Sequence, residues 1–178
     1  MSGPLSLLDF QDRTARAVLQ RLDATRALYD ALPPDADPEL ARRIAQHSGT
    51  VMLCAPTGAG KTLLAAEILA RFETGTPTLW FWFAPFAGLI EQARAVLCRQ
   101  APALRLLDLA SDRRIDAVAA GGLFVTTWQS VATANQSGRK ARSRGDDGAA
   151  LDDLLVLARA QGMRIGCVVD EAHHGFQK

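Results

Sequence analysis

A short run of small residues ending in lysine constrains this chain more than any other feature. Ala55-Pro56-Thr57-Gly58-Ala59-Gly60-Lys61-Thr62 lies between an apolar segment, Thr50 to Ala55, and a helical one, Lys61 to Phe72. Gly58, Ala59 and Gly60 let the backbone curl until successive N–H groups point inward, and the helix that starts at Lys61 adds its dipole. A phosphate chain needs such a cradle, because it carries several negative charges in a small space. Pro56 to Thr62 is therefore read as the binding loop for ATP. Lys61 bridges the β- and γ-phosphates, and the Thr62 hydroxyl ligates Mg²⁺. The first position of the GxxxxGK[ST] pattern holds Ala55 instead of glycine.

About a hundred residues later, Ile165 to Val169 forms an apolar run that ends in Asp170-Glu171. A buried strand that delivers adjacent carboxylates at its C-terminal end sets them beside the phosphate loop of the same sheet. Asp170 then holds Mg²⁺, directly or through water. Glu171 orients and deprotonates the attacking water, so Lys61 and Glu171 are the catalytic candidates. His173 and His174 follow, but adjacent histidines point apart and no third ligand is evident, so they are not read as a metal site.

The segments between and around these motifs alternate in type. Helices are expected at Phe10 to Leu32, ended by Pro33-Pro34, and from Pro38 to about His47. Strands are expected at Thr50 to Ala55, Thr78 to Ala84, Leu104 to Leu109, Leu123 to Thr127 and Met163 to Asp170. Helices at Lys61 to Phe72, Gly88 to Gln100, Asp112 to Ala119 and Leu151 to Gln161 separate them, and Asn135 to Ala150 is a polar, Gly-rich loop. Strands that are apolar on both faces and alternate with helices imply an α/β domain, a parallel sheet covered on both sides. The division expected is a helical segment over 1–49 and the nucleotide-binding domain over 50–178.

Composition narrows the function classes. At 178 residues, 48% hydrophobic and 22% charged, the chain suits one domain with a full core. A net charge of +1 supplies no global basic field, so nucleic acid would have to be held by local patches. Met1 to Phe10 lacks the pattern of a signal peptide, and Leu79 to Ile90 is too short to span a bilayer. A cytoplasmic location follows, with no membrane partner. Cys54, Cys98 and Cys167 show no metal spacing and are read as buried, reduced thiols, Cys54 and Cys167 inside core strands. The aromatic run Trp80 to Phe83 is read as core, and so is Trp128. Arg139, Lys140, Arg142 and Arg144 are read as a solvated loop, with contact to phosphates the alternative.

Asp170-Glu171-Ala172-His173 is a DEAH box, and together with the phosphate loop it resembles the superfamily-two helicases and translocases. Their motor is a pair of RecA-like domains. Leu8-Asp9-Phe10-Gln11 resembles the upstream glutamine motif of that superfamily, which implies that Gln11 reads the adenine edge. Ala84-Pro85, with Leu89 and Gln92, resembles motif Ia. Val125 to Ser130 resembles the segment beside motif Ib. The resemblance implies that Pro85, Thr126 and Thr127 contact the nucleic-acid backbone. Trp80 to Gln92 and Arg164 to His174 are most similar to the restriction subunit of type III restriction–modification systems. That resemblance implies DNA, duplex in form, as partner, and a modification-methylase subunit as a second one. Motif III, the second motor domain and its arginine fingers are not in these 178 residues, so the missing RecA-like domain is expected in cis or in trans. Two rival readings stay open: a P-loop ATPase outside the helicases, and a truncated, non-catalytic module that binds nucleotide or nucleic acid.

Overall fold

The computed structural model describes residues 5–33, 35–73, 77–108, 118, 122–127 and 151–173. Its elements are α1 (Asp9–Asp30), α2 (Pro38–His47), α3 (Lys61–Glu73), β1 (Thr78–Ala84), α4 (Ala87–Gln100), β2 (Arg105–Asp108), β3 (Gly122–Thr127), α5 (Leu151–Ala160) and β4 (Arg164–Val169). The four strands form one parallel sheet in the order β2-β3-β1-β4. From β1 the chain runs to the edge at β2, returns through β3, and then crosses β1 to reach β4. Helices lie on both faces, and the fold is the expected α/β, RecA-like arrangement.

The aromatic run explains why β1 is central. All seven residues of β1 are buried, and alternate side chains serve opposite faces. Trp80 and Trp82 pack with Ala66 and Leu69 of α3 and with Ala93 and Leu97 of α4. Leu79, Phe81 and Phe83 face the other way, toward Leu154 and Ala158 of α5. Phe81 stacks on Phe124 of β3 with ring centroids 5.5 Å apart. Trp80 also needs room from β4. Its register partner is Gly166, and a Cβ at that glycine would stand 2.1 Å from two atoms of the indole. Gly166→Ala is therefore expected to cost about 1–3 kcal/mol, the usual penalty of overpacking a core. A denaturant midpoint measures it, and Trp80→Leu in the same chain should recover part of the loss. A midpoint unchanged by Gly166→Ala would contradict this packing.

Helix α1 covers one side of the phosphate-loop helix α3. Ala15 and Val18 are buried against Leu64 and Ile68 of α3. Thr25 donates to the Ser48 carbonyl at 2.8 Å and Tyr29 to the Ala41 carbonyl at 3.0 Å, tying α1 to α2.

Two expectations need correction. Thr50 to Ala55 is not a strand of the sheet. Val51 and Leu53 do pack under α1 and α3, but Met52 is 84% exposed on the opposite side. Only one face of the segment is covered, and its backbone joins no ladder. The thiols also differ from expectation: Cys54, Cys98 and Cys167 are all exposed. Cys54 lies in that unladdered segment, and Cys167 in β4, a strand bonded on one side only among the described residues. The expected helix at Asp112 to Ala119 falls outside the described residues except for Val118, which packs beneath β2 and β3. The loop at Asn135 to Ala150, with its basic run, and Trp128 lie outside them as well.

Candidate nucleotide site

The loop is built by glycine conformation. Gly58 and Gly60 adopt φ of 83° and 78°, the left-handed region that favours glycine. Ala59 N–H donates to the Pro56 carbonyl at 3.2 Å and closes the turn, and Leu64 N–H donates to the Gly60 carbonyl at 2.9 Å, so the loop runs straight into α3. Lys61 folds back over this curl. Its Nζ donates to the carbonyls of Ala55 at 3.1 Å and Pro56 at 3.4 Å, and it lies 4.0 Å from Glu171 Oε1. Pro56, Thr57 and Gly58 are exposed, while Ala59, Gly60, Lys61 and Thr62 are half-buried.

Asp170 and Glu171 reach the same place from β4. Asp170 N–H donates to the Phe83 carbonyl at 2.8 Å, extending the β1–β4 ladder by one bond. Glu171 then takes φ of 49°. A non-glycine residue there carries strain of order 1 kcal/mol, of the kind that persists where a side chain must be aimed. The turn leaves its carboxylate between Lys61 and His173, whose Nδ1 is 3.3 Å from Glu171 Oε2. His174 lies outside the described residues.

Burial raises the Asp170 carboxyl above the ordinary carboxylate value, and repulsion from Glu171 adds to it. A hydrogen bond from the Glu171 backbone and the charge of Lys61 oppose the rise. The sign has a consequence for stability. A carboxyl whose folded pKa is raised favours folding at acid pH and loses that contribution as pH climbs through the folded value. Asp170→Asn has no such titration. Its melting temperature should exceed that of the wild type at neutral pH, by a margin that shrinks as pH falls through the raised folded value and vanishes below the ordinary carboxylate value. Thermal scans from pH 3 to pH 8 test this, and a margin independent of pH would contradict it.

The same imbalance bears on a cation. Asp170 is short of positive charge, and Thr62 offers a hydroxyl at the start of α3, so the two residues fit Mg²⁺. Among the described residues no cluster of three or more His, Cys, Asp or Glu side chains could hold a metal. A cation here would thus draw on hydroxyl and phosphate oxygens besides one carboxylate, the habit of Mg²⁺.

Gln11 arrives from 48 residues upstream. It is 5% exposed, its Nε2 donates to the Ala59 carbonyl at 2.9 Å, and its Oε1 accepts from Leu8 N–H at 2.9 Å. It presses on the loop so closely that a Cβ on Gly60 would stand 2.6 Å from Nε2. Gly60 is therefore required twice, for its φ and for the room it leaves. The second requirement has no signal in the sequence.

Lys61, Thr62, Asp170, Glu171 and Gln11 thus gather around one loop. Pro85, at the end of β1, and Thr126 and Thr127 of β3 lie farther along the same C-terminal edge of the sheet, β3 being on the side of β1 away from Asp170. The register pairs Phe83 with Thr126 and Ala84 with Thr127, so Pro85 and the two threonines share the C-terminal edge of β1 and β3. Pro85 and Thr126 are buried and Thr127 is half-buried, whereas Phe86, at the start of α4, is 55% exposed. Gln129 and Ser130 lie outside the described residues.

The family described as type III restriction enzyme, res subunit, matches residues 5–178. The chain belongs to that family. No curated protein and no solved structure matches it. The res-subunit domain is a helicase-family domain of RecA-like, P-loop architecture, and the sheet and the loop described above are its parts. Among the described residues, no helix of this res-family chain is long and apolar enough to cross a membrane.

Proposed function

We propose that this chain binds MgATP at the loop of Pro56 to Thr62 and forms the first motor domain of a type III restriction-like DNA helicase or translocase. ATP hydrolysis to ADP and phosphate would be coupled to movement on duplex DNA. The observation that carries this reading is the meeting of Lys61 and Glu171, 4.0 Å apart, at the mouth of the glycine loop. A lysine for phosphate at the start of α3 and a carboxylate for water just past the end of β4 meet at one point, and they are the parts that phosphoryl transfer requires.

Thr62 and Asp170 are the residues to hold Mg²⁺. Held there, Mg²⁺ would supply positive charge against the negative charge of the phosphates. Lys61 exchanges the carbonyls of Ala55 and Pro56 for phosphate oxygens. Glu171 holds the attacking water and takes its proton on a carboxylate oxygen. Gln11 has one amide N–H and one oxygen lone pair left after its bonds to Ala59 and Leu8, the pair an adenine edge asks for. Pro85, Thr126 and Thr127 lie on an edge suited to the DNA backbone, with contacts made through main-chain groups where the side chains are buried. A second RecA-like domain, in cis or in trans, would bring the arginines that stabilise the transition state, as in related motors. A modification-methylase subunit is a further partner, and the cytoplasm is the compartment.

Calorimetric titration with MgATP tests the first step. Saturable 1:1 binding is expected. Its absence from folded protein would overturn the reading.

A further inference from the structure

The strap that leads into α1 is held from an element that takes no other part in the nucleotide site. Gln100 is the last residue of α4, 95 positions from Leu5, and only 7% exposed. Its amide closes a two-bond ring on the Leu5 backbone. Leu5 N–H donates to Oε1 at 2.9 Å, and Nε2 donates to the Leu5 carbonyl at 3.0 Å. The same Nε2 donates to Glu67 Oε2 on α3. Glu67 in turn accepts from Arg71 Nε at 2.7 Å, and Arg71 Nη1 donates to Asp12 Oδ1 at 2.9 Å. Residues 5–12 are thus pinned at both ends by one polar chain that runs through α4 and α3.

Between the pins sits Gln11. A glutamine amide can turn about its terminal bond and present either oxygen or NH₂ to a neighbour. Here Leu8 N–H takes the oxygen, so the NH₂ end faces the Ala59 carbonyl. Leu8 is held on its carbonyl side by Asp12 N–H at 3.0 Å, and on its N–H side its orientation depends on the strap that Gln100 closes.

We propose that Gln100 is a positioning residue for the nucleotide site: by clamping Leu5 it fixes Leu8, and so decides which end of the Gln11 amide faces the phosphate loop and the base. This rests on the reading that the site takes ATP and that Gln11 recognises adenine. Helix α1 is held independently of that chain, through Ala15 and Val18 against Leu64 and Ile68 of α3 and through Thr25 on the Ser48 carbonyl and Tyr29 on α2. Loss of the clamp therefore loosens the strap and leaves the helix docked.

Gln100→Met keeps the length of the side chain and removes its donors and acceptor. The full 178-residue chain is titrated with MgATP and with MgGTP as wild type, Gln100→Met, Gln11→Ala and the double variant. Gln100→Met is expected to reduce the preference for ATP over GTP by roughly three- to tenfold, the worth of one lost hydrogen bond. In the Gln11→Ala background it should reduce it no further, because coupled residues are non-additive. Equal weakening of both nucleotides, or an unchanged preference, would overturn the proposal.

Hydrogen exchange on the nucleotide-free chain gives a readout that does not need ATP recognition. Peptides 5–12 and 56–61 should exchange faster in Gln100→Met, while the middle of α1 keeps its protection. If the wild type binds ATP and GTP equally, the adenine reading falls, yet an unchanged exchange rate at 56–61 still refutes the clamp. Leu5→Pro removes the Leu5 N–H donor instead, and it must give the same pattern should Gln100→Met fail to fold.

Discussion

Lys61→Ala should abolish measurable MgATP binding and leave the far-ultraviolet circular dichroism unchanged. The expectation follows from where the lysine spends its bonds. Its Nζ reaches the carbonyls of Ala55 and Pro56 on the exposed side of the loop, and such surface bonds contribute little to folding. Against phosphate the same ammonium makes charge-assisted bonds, each worth about 1.5–3 kcal/mol. Two of them, to two phosphates, correspond to a loss of affinity on the order of 10²–10⁴-fold. Lys61→Arg should not rescue it, because a planar fork does not replace a compact point charge inside a tight loop. An affinity equal to wild type in the alanine variant would remove Lys61, and with it the loop assignment.

Glu171→Gln should keep MgATP binding and lose turnover. The substitution preserves shape but removes the group that takes the proton from water. General-base catalysis is worth about 10²–10⁴-fold, and a loss of that size is expected in steady-state phosphate release. The salt bridge to Lys61 disappears too. Nucleotide affinity should hold or rise slightly, since Lys61 is freed for phosphate. Turnover undiminished in Glu171→Gln would place the base elsewhere.

The sequence discloses those features of the molecule that are encoded within one element. Trp80 to Phe83 is apolar at every position, and a strand buried on both faces is what the sheet makes of it. Gly58 and Gly60 announce their loop because left-handed φ restricts the residue type. The boundaries of α3, α4 and β1 fall within a residue or two of the pattern. Properties that depend on a distant neighbour are illegible. Thr50 to Ala55 has the composition of a strand, yet pairing is a property of two segments, and one segment cannot report on the other. The exposure of Cys54 and Cys167 follows from the same missing knowledge of what covers an edge. Gly166 looks like an ordinary strand glycine until Trp80 is laid across it. The contact of Gln11 with the loop spans 48 residues and that of Gln100 with Leu5 spans 95. Neither separation leaves a periodicity to read.

The proposed function makes these residues one wall of a DNA-driven ATPase site, with a second RecA-like domain as the other wall. Phosphate release tests it most directly. The 178-residue chain is assayed alone and joined to a second motor domain of the same family, each with and without duplex DNA. An arginine finger is worth roughly 10³–10⁵ in rate in related phosphoryl-transfer enzymes. Slow, DNA-insensitive turnover is expected of the chain alone. A rise of orders of magnitude, dependent on duplex DNA and on Glu171, is expected once the second domain is joined. Brisk, DNA-stimulated turnover by the 178 residues alone would contradict it.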